Sequence, residues 1–299
     1  MSHGFDALQW DGPGGRWMNK NGTLLPAERS VQLPDSKLVD LEAVPFMQMA
    51  TPPQHLLAST DDNSIGAERF RSLAIRLRSF RKRRQLKKLL VTSSIKAEGK
   101  SVISANLAVT LAAQERVLLI DGDLHQAGLQ DVLGSRGQSG LADWWRTAEP
   151  LAHFLTRLEG FSLWYLAAGE AEEDPLEILQ SPKFAETLSQ IATWFDWVII
   201  DSPPLVPIPD SSLWATQVDG TLLIVRRGTT PKPLLKKALE TEHLNLLGLI
   251  TNEWEEMHQQ YYGRYYGYGR RPGKGSVRHR PSLSDTKGVS LPGSTSKSL

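Results

Sequence analysis

Between residues 87 and 253, short β-rich apolar runs alternate with stretches in which apolar residues recur every three or four positions. Six of the runs predict strands: KKLLVTSS (87–94), RVLLIDGD (116–123), FSLWYLAAG (161–169), DWVIIDSPP (196–204), GTLLIVRRG (220–228) and NLLGLITNE (245–253). Their apolar positions are mostly continuous, the pattern of strands covered on both faces. Between them, GKSVISANLAVTLAAQ, SPKFAETLSQIATWF and KPLLKKALETEHL carry apolar residues at i, i+3 and i+4 and predict amphipathic helices. This alternation predicts right-handed crossovers and an α/β fold, a doubly wound and mainly parallel sheet.

The flanks read differently. Residues 1–62 carry Pro13, Pro26, Pro34, Pro45, Pro52 and Pro53 with no sustained period, and predict a flexible N-terminal arm with short ordered pieces. The folded domain is expected over 63–257, and residues 258–299 are expected to hold a tyrosine cluster and a disordered basic tail. A formal net charge of +1 gives the whole molecule no strong field toward nucleic acid or membrane. The chain has no cysteine, which excludes disulfides, thiolate zinc sites and thiol catalysis. No stretch reaches the roughly 18 apolar residues of a membrane helix, and MSHGFDALQW lacks the regions of a secretion signal. A soluble cytoplasmic protein is the expectation.

The strongest chemical signal is VTSSIKAEGKSVISANLA (91–108), a strand, a loop and a helix opening at Gly99-Lys100-Ser101. This is a phosphate-binding P-loop. Backbone N–H groups of Ala97, Glu98, Gly99, Lys100, Ser101 and Val102 are expected to wrap phosphates at a helix N-terminus. Lys100 reaches the terminal phosphates and the Ser101 hydroxyl ligates magnesium. The eight-residue pattern has Ser94 where glycine is usual. Two further strands deliver carboxylates. VLLIDGDL ends on Asp121 and Asp123, on one side of an extended chain, and WVIIDSPP ends on Asp201. In a parallel sheet these fall at the C-terminal strand edge, where three carboxylates beside a P-loop can hold a metal and orient a nucleophile.

In order, the P-loop, VLLIDGDL, WVIIDSPPLVPIPDSSLWATQVDGTLLIVRRGTT, LLGLITN and a tyrosine cluster resemble the bacterial tyrosine kinases of capsule and exopolysaccharide export. The likeness runs from about Glu68 to Tyr268. It implies a deviant Walker ATPase-like domain that binds ATP and Mg2+. Lys100, Asp121, Asp123 and Asp201 would be catalytic, with Asp121 the base or metal-positioning residue and Asp201 the Walker B carboxylate. Ser101, Asp121 and Asp201 would hold the metal, and Asn252 would contact adenine. The resemblance further implies a transmembrane co-polymerase or chain-length-determinant activator, a homo-oligomeric ring, a tyrosine phosphatase, and recruitment to the inner face of the membrane. The chain departs from the family pattern at three places. Lys96-Ala97 replaces Pro-Gly, with an αR-compatible turn expected to tolerate Ala97. His125-Gln126-Ala127 follows the Asp pair in place of Arg-Arg-Pro. Ala74 stands where an oligomerisation motif begun by Glu68 and Arg71 has its second arginine.

Five of the six tyrosines, Tyr261, Tyr262, Tyr265, Tyr266 and Tyr268, lie in the octapeptide YYGRYYGY. The interleaved glycines argue against a packed strand. A string of phenols tethered to an ATP-binding domain reads as its own substrate, each phosphate adding a charge of about −1.5 to −2. A nucleotide-switch ATPase or kinase-like adaptor is the alternative, and a partition- or division-type ATPase explains the sheet but leaves the tyrosines idle. The eight basic residues of 76–90 are taken first as a solvated helix face, with lipid or partner contact second. Trp144 and Trp145 are expected to pack. His125 has no second ligand at metal spacing, and Asp210 is a switch residue or an N-cap. No aromatic-and-basic pattern of an RNA binder is present, and nucleic acid is not an expected partner.

Overall fold

The computed structural model describes residues 9–10, 17–18, 41, 43–47, 64–170, 174–207 and 210–252. Strands β1 (Gln9–Trp10) and β2 (Trp17–Met18) pair antiparallel as a separate ribbon. Next come β3 (Phe46–Met47) and helix α1 (Ile65–Arg81), whose Ala67 N–H donates to the Ser64 hydroxyl at 3.0 Å, a side-chain N-cap. Strand β4 (Lys88–Ser93) leads into α2 (Lys100–Ala112), and β5 (Val117–Asp121) into α3 (Gly128–Leu133) and α4 (Leu141–Arg146). A hairpin of β6 (Leu155–Leu158) and β7 (Leu163–Leu166) precedes α5 (Pro175–Gln180) and α6 (Pro182–Ile191). Both of those helices start on a capping side chain followed by proline, Asp174-Pro175 and Ser181-Pro182. The chain continues through β8 (Trp197–Asp201), α7 (Asp210–Thr216), β9 (Gly220–Val225), α8 (Lys232–Leu239) and β10 (Leu246–Thr251).

The main sheet has eight strands in the order β10-β9-β4-β8-β5-β7-β6-β3. All neighbours are parallel except β6 and β7. All six strands expected from the sequence are present. The two additional strands stand at one edge. β6 reads LTRL, too short and too polar to announce itself, and it takes its direction from the turn into β7. β3 is one of the ordered pieces inside the 1–62 stretch. It docks through buried Val44 and Met47, while the Leu41 carbonyl accepts from Trp164 Nε1 at 3.2 Å.

Alternation along the strands sorts their apolar residues into two cores. Leu89, Val91, Leu119 and Ile199 face Leu77 of α1 and Ile103 and Leu107 of α2. Leu90, Leu118, Ile120, Val198 and Ile200 face Trp144, Phe184 and Trp214 on the other side. Each fully buried aliphatic side chain contributes about 1.5–3 kcal/mol relative to exposure. The phosphate loop therefore stands on the most deeply covered strands. At the opposite sheet end, the Asp219 carboxylate accepts the N–H groups of Lys87 and Lys88 at 2.7 and 2.8 Å, tying the start of β4 to β9. Among the described residues no helix is long and apolar enough to cross a membrane. The tyrosine cluster and the basic tail lie outside the described residues.

Candidate active site

Strands β4, β8 and β5 are adjacent, and their C-terminal ends bring the loop and the carboxylates together. Asp121 and Asp201 are register partners across β5 and β8, and Val91 of β4 is the other register partner of Asp201. Gly122 N–H donates to the Asp201 carbonyl at 2.7 Å, so the turn after Asp121 is pinned to its neighbour. A side chain at Gly122 would collide with that carbonyl and with Trp214, and only glycine lets the strands end this closely.

The loop from Ser94 to Gly99 is held by one internal contact and by residues distant in sequence. Gly99 takes φ 89° and caps α2, where an added Cβ would lie 2.1 Å from the Asn252 amide. Ala97 takes φ 63°, a left-handed conformation. The expected right-handed turn is not what forms: alanine occupies a backbone position that suits glycine. Glu98 is 1% exposed and turns its carboxylate away from the loop's mouth. One oxygen accepts Ile95 N–H at 3.0 Å, and the other accepts Arg226 N–H at 3.2 Å and the Thr230 hydroxyl. Its carbonyl accepts from Asn252 Nδ2 at 2.8 Å, so Asn252, expected at the adenine, braces the loop.

Lys100, Asp121, Asp123 and Asp201 are all buried at this edge. Ser104, one turn along α2 from Lys100, donates to Asp201 Oδ1 at 3.0 Å. Oδ2 of Asp121 and Oδ2 of Asp201 are buried and have no hydrogen-bond partner. Burial pushes Asp121 well above the usual carboxylate range, and the Asp201 and Asp123 charges push it further. Burial raises Asp201 to about 6 against the pull of Lys100 and the nearby serine hydroxyls. Asp123 is raised by burial as well, although it accepts Gln126 N–H at 3.0 Å. The partnerless oxygens of Asp121 and Asp201, with Asp123 beside them, fit a divalent cation. Among the described residues no set of three acidic or imidazole groups holds a metal alone. That suits magnesium, which takes one or two carboxylates and completes its shell with phosphate and water. The Ser101 hydroxyl is close to α3: a Cβ on Gly128 would lie 2.5 Å from it.

Several contributors escaped the sequence reading. Ser104 was legible only as the next residue on the Lys100 face of α2. The link between His125 Nε2 and buried Asp210 Oδ2, at 2.9 Å, joins two loops distant in sequence, and no local spacing announces it. Tyr165, the tyrosine outside the cluster, is fully buried on β7. The Asp121 and Asp201 charges add to the burial that raises its phenol. Tyr261, Tyr262, Tyr265, Tyr266 and Tyr268 lie outside the described residues.

No family model matches the chain. Tyrosine-protein kinase YwqD of Bacillus subtilis (strain 168) is 30% identical over 218 residues, covering 72% of this chain and 92% of YwqD. The succinoglycan biosynthesis transport protein ExoP of Rhizobium meliloti (strain 1021) is 27% identical over 272 residues, 84% of this chain and 34% of ExoP. Among solved structures, the BceF tyrosine kinase domain superposes with a TM-score of 0.60 at 27% identity, over 66% of this chain and 81% of that domain. With a phosphate loop and three converging carboxylates on a fold that superposes on the BceF domain, and with the identity to YwqD, the chain belongs to the bacterial tyrosine kinases of capsule and exopolysaccharide biosynthesis.

Proposed function

We propose that the chain is an ATP-dependent autokinase that phosphorylates its own Tyr261, Tyr262, Tyr265, Tyr266 and Tyr268 in the control of polysaccharide synthesis and export. The observation that supports this most is the pair of buried, partnerless oxygens of Asp121 and Asp201 beside the Lys100 loop. The N–H groups from Ala97 to Val102 hold the phosphates, and Lys100 stabilises charge on the terminal ones. Magnesium held by Ser101, Asp121 and Asp201 would supply charge neutralisation on the phosphates. The tyrosine oxygen bonds to the γ-phosphorus as the bond to the ADP oxygen breaks. The phenol has an ordinary pKa near 10, so its proton must be taken up, and Asp121 is the acceptor. Asp123 supports Asp121 from two residues on. Asn252 keeps an amide oxygen and one N–H for the adenine while bracing the loop.

The sequence matching ExoP accounts for about a third of that longer protein, 34% of its length. This supports a transmembrane co-polymerase as the activating partner, with the kinase at the cytoplasmic face of the membrane. Assembly into a ring and reversal by a tyrosine phosphatase complete the proposed cycle. Calorimetry tests the site: Mg-ADP binds the wild type, and Lys100→Met removes most of that binding. A wild type that shows no heat at millimolar nucleotide overturns the assignment. Mass spectrometry after incubation with Mg-ATP tests the substrate, with phosphate expected on the 261–268 peptide. Phosphate confined to serine and threonine would point to an adaptor.

A further inference from the structure

No acidic residue lies between Glu68 and Glu98, and the basic residues of that stretch do not form one solvated helix face. Helix α1 ends at Arg81, and the chain turns before entering β4 at Lys88. On the last two turns and the cap of α1, Ile75, Arg76, Ser79, Phe80, Lys82 and Arg83 recur at i, i+1, i+4, i+5, i+7 and i+8, all exposed. Ile75 is 64% and Phe80 42% exposed, two large apolar side chains set among cations. At the same end of α1, Arg81, Arg84, Lys87 and Lys88 line an open cleft of about 500 Å³. The carboxylate in that lining, Asp219, is already bonded to the Lys87 and Lys88 N–H groups, and nearby Glu115 is paired with Arg78 and Arg81. The Lys87 ammonium is held below the usual lysine range, first by burial and then by Arg81. Asp196 also acts on Lys87, so among the described residues the eight cations of 76–88 stand against the carboxylates of Glu115, Asp196 and Asp219, a local excess of positive charge.

We propose that this end of the molecule docks directly on an anionic bilayer, with Arg76, Lys82, Arg83 and Arg84 against lipid phosphates and Ile75 and Phe80 seated at headgroup depth. Apolar side chains interleaved with cations on one helical face are what an interfacial helix presents to a lipid surface. A nucleic-acid backbone would engage the cations but leave Ile75 in water. The orientation also suits the chemistry. The basic end precedes β4 and the phosphate loop follows it, so six residues of strand, about 20 Å, separate the two. The active site is left open to solvent and to other subunits. This contact is independent of the transmembrane partner proposed above and is measured without it.

The test is co-sedimentation of the full-length protein with vesicles of phosphatidylcholine alone or with phosphatidylglycerol. Binding is expected to the anionic vesicles, not the neutral ones, and to weaken as salt is raised. Each cation is worth about fivefold in affinity. Arg76→Ala, Lys82→Ala, Arg83→Ala and Arg84→Ala combined should therefore weaken binding several-hundred-fold. Ile75→Ser with Phe80→Ser should remove the binding that survives high salt. Both variants should bind Mg-ADP like the wild type, which shows that they fold, since none of these residues is in the nucleotide site. Four results overturn the proposal: no sedimentation, equal binding to neutral vesicles, variants that bind vesicles as the wild type does, or full competition by duplex DNA. Variants that only dissociate an oligomer, with vesicle binding unchanged, assign the face to a second copy and overturn it too.

Discussion

At Ala97 and Asp201 single side chains set the properties of the site, and they differ in how far the sequence reveals them. The carboxylates were legible because each ends an apolar strand, and register does the rest: Asp121 and Asp201 are paired across β5 and β8. The handedness of Ala97 was not legible, because the Glu98 and Asn252 contacts that hold the loop come from residues more than a hundred positions away. A non-glycine residue in this region costs roughly 1–2 kcal/mol, partly offset by glycine's greater entropy loss. Ala97→Gly should therefore stabilise the protein by about 0.5–1 kcal/mol in urea titrations and tighten Mg-ADP binding. Loss of stability would mean that the loop relaxes to another conformation. Asp201 yields a pH prediction. Its folded pKa of about 6 lies above the ordinary 3.8, so the folded state holds the proton more tightly. That stability is present at low pH and is lost as pH rises through the window from about 4 to 6. Asp201→Asn should gain on the wild type across that window in the absence of nucleotide and level off above it. A stability difference that is flat from pH 4 to 7 would show that Asp201 titrates normally.

Between elements, the long covered strands announced themselves and the edge did not. β4, β5 and β8 are continuous apolar runs because helices lie on both faces. β3 and β6 draw their pairing from tertiary contacts, and segments of two and four residues are too short to carry a period. The same limit hid Glu98, whose identity was plain and whose direction was not. Its carboxylate fastens the phosphate loop to the loop between β9 and α8, through Arg226 N–H and the Thr230 hydroxyl. Removing it takes the acceptor from the half-buried Ile95 N–H, at about 1–3 kcal/mol, while Arg226 N–H keeps the Thr230 hydroxyl oxygen and the Thr230 hydroxyl keeps the Arg226 carbonyl. Glu98→Ala should cost about 1–3 kcal/mol in a denaturant melt and weaken Mg-ADP binding. Thr230→Val, which leaves the Ile95 contact in place, should affect nucleotide binding less. Equal nucleotide affinity in Glu98→Ala and wild type would limit Glu98 to a role in stability.

Across the whole molecule, an average conceals an arrangement. The formal charge of +1 suggested no directed field, yet the fold separates a basic end before β4 from an acidic trio at the C-terminal ends of β5 and β8. The acidic edge is also where the described chain finishes. Asn252 closes β10 against the phosphate loop, and Tyr261 follows nine residues later. Nine residues span at most about 30 Å when fully extended. That length would suffice to turn back, but in the proposed ring a neighbour's site is met without so tight a reversal. Phosphorylation should therefore run mainly between subunits. The phosphate incorporated per molecule per minute should rise with protein concentration, as a reaction within one chain would not. A Lys100→Met chain mixed with wild type should become labelled on its 261–268 peptide, and Asp121→Asn alone should label nothing. A specific rate independent of concentration, with the Lys100→Met chain left unmodified, would place the reaction within a single chain.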